Sequence, residues 1–83
     1  MNKANVELIV PTIQEKYEVF IPINKRIKEI IILVNKVINE ITDGQYPVMN
    51  NLSLINGETG KAFDYNKTAK EEGIINGIKI ILM

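Results

Sequence analysis

The 83-residue sequence predicts an α+β fold: a mixed five-stranded sheet packed on one long helix. Three observations carry this expectation. Apolar residues alternate over two N-terminal runs, Val6-Leu8-Val10 and Tyr17-Val19-Ile21. They recur at three- and four-residue spacing through Ile27, Ile30, Ile31, Val34, Ile38 and Ile41. Short apolar runs then return after Leu52, punctuated by Asn-Gly pairs. With 46% hydrophobic and 24% charged residues the composition is globular, and the length suits a single domain over residues 1–83.

In order along the chain, the first strand is expected from Asn5 to Val10, closed by Pro11, which cannot continue a ladder. Thr12 to Lys16 is a polar connection to the second strand, Tyr17 to Ile21, which Pro22 stops. The helix is expected from Asn24, as N-cap, to Thr42, with Asp43-Gly44 as its C-terminal stop. Lys28, Glu29, Asn35, Lys36, Asn39 and Glu40 populate its polar side. Seven β-branched residues between Ile27 and Ile38 lower its intrinsic propensity, so packing must hold it. Gln45 to Asn51 forms an irregular crossover, and Leu52-Ser53-Leu54-Ile55 resumes a strand that ends at Asn56-Gly57. Lys61-Ala62-Phe63 is a short fourth strand. Thr68-Ala69-Lys70-Glu71 has capping-box spacing for one helical turn before Gly73, and Ile78 to Met83 is the final strand.

Pairing the first and last strands in parallel at the centre, with the helix across one face, is how this order most readily buries a single helix stripe. That arrangement is the β-grasp, in strand order 2-1-5-3-4. A ferredoxin-like sandwich would need one strand before its first helix and a second long helix later, and the sequence offers neither.

Composition excludes much chemistry. Ten basic residues balance ten acidic ones, so there is no basic excess to hold a phosphate backbone and no nucleic-acid partner is expected. Cys, His and Trp are absent, which removes thiol nucleophiles, disulfides, imidazole bases and the usual zinc ligands. No catalytic residue, cofactor or metal is expected, and the protein is read as a non-enzyme. Asp64, Glu71 and Glu72 form a solvated acidic face, and Gly57, Gly60 and Lys61 lack phosphate-loop spacing. The polar start Met1-Asn2-Lys3-Ala4-Asn5 is no signal peptide, and the longest apolar run, Ile30 to Val34, is too short to span a bilayer. A cytoplasmic protein without direct membrane insertion is expected.

Layout and length resemble ubiquitin. Closer similarity lies with the small ubiquitin-like proteins of the Gram-positive type VII secretion system, the YukD/EsaB family. The stretches that carry it are Pro22-Ile23 leading into Ile27-Lys28-Glu29-Ile30-Ile31-Ile32-Leu33-Val34, then Leu52-Ser53-Leu54-Ile55-Asn56, and then Gly73 through Leu82. The resemblance implies a cytosolic, non-conjugated accessory or regulatory component of an export apparatus, with no catalytic residues. Covalent modifiers and sulfur carriers, the alternative, need a Gly-Gly tail, whereas this sequence ends at Met83.

Strand alternation supplies the candidate site. If Val6, Leu8, Val10, Tyr17, Val19, Ile21, Leu52, Leu54, Ile78, Ile80 and Leu82 face the helix, then Ile9, Phe20, Ile55, Ile81 and Met83 face the other way. No second helix is available to cover them. Ile9, Phe20, Ile55 and Ile81 are therefore expected to form a protein-binding surface for a secretion-system component or a second copy of the chain.

Overall fold

A computed structural model describes residues 2–83; Met1 lies outside the described residues. Strands β1 (Lys3–Val10) and β2 (Glu15–Pro22) form an antiparallel hairpin, α1 runs over Ile27–Ile41, and β3 (Leu54–Asn56) and β4 (Lys79–Leu82) complete the sheet. The order is β2-β1-β4-β3, with β4 parallel to β1 and antiparallel to β3. The first and last strands are thus central neighbours, as expected. The hairpin turns through a 3-10 segment, Pro11–Ile13, which brings the Gln14 N–H to the Pro11 carbonyl, and Gln14, with φ of 54°, redirects the chain into β2.

The helix-facing residues of the sheet and the inner stripe of α1 form one core. Val6, Leu8 and Val10 of β1, Ile80 and Leu82 of β4, and Ile27, Ile30 and Ile38 of α1 are buried, with Tyr17, Val19 and Ile78 packed at its margin. Ile41, expected in the stripe, is the last residue of α1 and is exposed instead.

Among the described residues the sheet has four strands rather than five. Lys61-Ala62-Phe63 makes only an isolated bridge, Ile55↔Ala62, held by Asn56 N–H to the Lys61 carbonyl at 2.9 Å and Phe63 N–H to the Leu54 carbonyl at 2.9 Å. Two turns crowd it. The Asn56 side chain accepts from the Glu58 and Thr59 amides on one side, and the Asp64 carboxylate accepts from the Asn66 amide on the other. Such Asx contacts offer the backbone an alternative to the ladder.

The helix starts at Ile27, three residues after the expected cap at Asn24, and no side chain caps it. Its first free N–H groups donate to distant carbonyls instead: Ile27 to Lys67 at 2.9 Å and Lys28 to Tyr65 at 3.2 Å. A loop thus satisfies the donors that a Ser, Asp or Asn cap would otherwise take. That loop is itself tied by a capping box. The Glu71 carboxylate accepts from the Thr68 amide and the Thr68 hydroxyl from the Glu71 amide. Hydrogen bonding from the Thr68 amide, and then from its side chain, holds the Glu71 carboxyl below its ordinary range. At the other end Gly44, with φ of 84°, returns its N–H to the Asn39 carbonyl at 2.8 Å, so the expected stop is present.

Asn35 departs from the polar side of α1 on which the sequence places it, being 1% exposed. The crossover after α1 folds over it. Its Nδ2 donates to the Pro47 carbonyl at 2.9 Å and its Oδ1 accepts from the Met49 amide at 2.8 Å.

Candidate protein-binding surface

Ladder register decides which outward residues meet. Ile9 lies opposite Ile81, and Ile81 lies opposite Ile55, so these three expected site residues form one row across β1, β4 and β3. Lys16 of β2 extends the row at one end and Ala62 at the other. The isoleucines are half-buried, each screened by its cross-strand neighbours. Ser53 and Met83 exchange backbone hydrogen bonds at 2.7 and 3.1 Å, which sets exposed Met83 one row further on.

Phe20 is not part of this row. It pairs with Asn5, two residues along the ladder from the Glu7–Glu18 pair and four from Ile9–Lys16. Glu18, Glu7 and Lys79 form a charged row between, and Gly57 continues it at the β3 end. A Cβ on Gly57 would come 2.9 Å from the Lys79 Cβ, so only glycine fits beside that strand. Rows on one face are about 7 Å apart, so Phe20 stands about 14 Å from the isoleucines. It is 69% exposed, beside an open depression of about 760 Å³ with Lys3, Asn5, Glu7 and Glu18 on its walls. The surface is therefore a short apolar ridge with a separate aromatic at the sheet edge.

The charged residues outside the sheet have local tasks. Glu71 closes the capping box, and Glu72 accepts from the Asp64 amide at 2.8 Å. These carboxylates tie the loop that caps α1, a role that spacing revealed for Glu71 but not for Glu72. Lys25 and Glu29 approach to 4.0 Å with both side chains exposed, a pairing that contributes little to stability. Among the described residues no cluster of three metal-ligating side chains is present, and no helix is long and apolar enough to cross a membrane.

No family model matches the sequence, and no curated protein is significantly similar to it. Solved structures are similar in fold. A chain of the MycP5-free ESX-5 inner membrane complex matches all of this chain with a TM-score of 0.82 at 13% identity. This chain spans 21% of that one. The ubiquitin-like domain of the Mycobacterium tuberculosis type VII secretion system protein EccD1 matches with a TM-score of 0.78 at 11% identity, over 100% of this chain and 99% of that domain. The N-terminal ubiquitin-like domain of the 4931431F19Rik protein matches with 0.68 at 21% identity, over 99% of this chain and 74% of that one. Central parallel β1 and β4, a single crossing helix and these full-length superpositions agree: the chain has the ubiquitin-like β-grasp fold.

Proposed function

We propose that the protein is a non-conjugated ubiquitin-like binding module of the YukD/EsaB kind, a cytosolic accessory of type VII secretion that acts by docking and catalyses nothing. The observation that carries the docking role is the Ile9–Ile81–Ile55 row, an apolar ridge on a sheet face that no helix or strand among the described residues covers. A ridge flanked by Lys16, Glu7, Glu18 and Lys79 has the make-up of an interface: an apolar centre with a charged rim. The secretion setting is supported by the likeness in fold to the EccD1 domain, which is named as part of a type VII secretion system, and to a chain of the ESX-5 inner membrane complex.

The experiment is affinity capture of the tagged protein from a host that carries the export apparatus, with Ile9→Ser/Ile81→Ser as comparison. The wild type is expected to retain a secretion component and the double variant to lose at least about tenfold of it, while its far-UV spectrum stays native. Equal capture by both proteins, or capture of no secretion component, would contradict the proposal.

A further inference from the structure

β2 is the outermost strand, and its open side can be identified residue by residue. Ile23 N–H donates inward to the Asn2 carbonyl at 2.9 Å, so Ile21, Val19 and Tyr17, at even steps back, also direct their main chain towards β1. The partner strand agrees, because Glu7, opposite Glu18, donates instead to Ile78 in the direction of β4. Lys16, Glu18 and Phe20 therefore turn both N–H and C=O outward. Beside them, between β2 and α1, runs a groove of about 390 Å³ walled by Val19, Phe20, Pro22, Leu33, Val34 and Val37. Leu33 and Val37 are exposed along it, an unusual concentration of aliphatic side chains on the outer flank of a helix.

We infer that this edge and groove together bind an extended segment of another protein, which adds antiparallel to β2 as a fifth strand. Its residues opposite Lys16, Glu18 and Phe20 complete the ladder, and the alternate ones, opposite Tyr17 and Val19, drop their side chains into the groove. Charge selects the segment further: an acid opposite Lys16 and a base opposite Glu18. A second copy of β2 fits poorly in the three central registers. Symmetry about Glu18 sets two glutamates face to face. Symmetry about Val19 brings Pro22, without an N–H, into the ladder. Symmetry about Tyr17 calls on Gln14, whose φ is 54° and whose N–H is already held by Pro11.

The test is an NMR titration of the labelled protein with the blocked peptide Ser-Phe-Val-Lys-Val-Glu-Ser and its charge-swapped isomer Ser-Phe-Val-Glu-Val-Lys-Ser. The first is expected to shift the Lys16, Glu18 and Phe20 amides and the Leu33 and Val37 methyls, and to slow exchange of those amides. The isomer should bind several-fold more weakly. Val37→Lys should weaken binding about tenfold or more, whereas Ile32→Lys, on an exposed site outside the groove, should not. Absence of shifts at about 1 mM peptide overturns the inference, as do shifts centred on Ile9, Ile55 and Ile81. Concentration-dependent shifts of the β2 amides without peptide would make a second copy the occupant and overturn it too.

Discussion

Ile30→Ala is expected to lower the unfolding free energy by about 2–5 kcal/mol. Ile30 is 0% exposed, on the inner stripe of α1 against the sheet, and the substitution removes buried methyl and methylene groups while leaving a cavity that a small core closes only in part. A chain of this length has roughly 4–12 kcal/mol in total, so the variant could lose most of its stability. The helix makes this loss steep, since its β-branched residues hold it weakly without tertiary packing. Ile32→Ala, 68% exposed two residues away, should change stability by no more than about 0.5 kcal/mol. Urea melts of both variants make the comparison. A loss below about 1 kcal/mol for Ile30→Ala would place the core elsewhere.

The second large effect is expected at Asn35. Among the described Asn, Gln, Ser, Thr and charged residues Asn35 alone is buried, and its amide holds the crossover at both Pro47 and Met49. Asn35→Ala removes two hydrogen bonds at about 0.5–1.5 kcal/mol each, so a loss of about 1–3 kcal/mol is expected. The damage should be local as well as global: amide exchange at Met49 and its neighbours should accelerate before the sheet opens. Asn35→Asp keeps the acceptor for Met49 but turns a carboxylate towards the Pro47 carbonyl, and should be no more stable than the alanine variant. An Asn35→Ala protein as stable as the wild type, with an unchanged exchange pattern, would mean the two bonds do not pin the crossover.

Asn35 also shows where sequence reasoning runs out. Its residue type and its position among Lys36, Asn39 and Glu40 mark a solvated side, and only the path of the following crossover buries it. Long periodic segments were legible because many residues repeat one signal: β1, β2, the helix stripe and the parallel β1–β4 pairing follow from alternation and from the need to cover one stripe. Isolated core residues were not. Tyr46, Phe63, Ala69 and Ile74 are buried from loops, where a single apolar residue has no period to announce it. The start of α1 is hidden from the sequence for a similar reason, since its caps are the carbonyls of Tyr65 and Lys67, far along the chain. On the candidate surface, alternation gave the face and register gave the grouping. Parity alone cannot reveal that Glu7, Glu18 and Lys79 separate Phe20 from Ile9, Ile81 and Ile55.

The isoleucine ridge is the centre of the functional account, and contact at that ridge inside the host is its most direct test. A photoreactive phenylalanine analogue placed at Ile81 in a host with an active type VII apparatus should, on irradiation, cross-link to a component of that apparatus. The same analogue at Glu40, on the exposed side of α1, should not. Cross-linking from Glu40 alone, or no secretion component joined at Ile81, would contradict docking through this face.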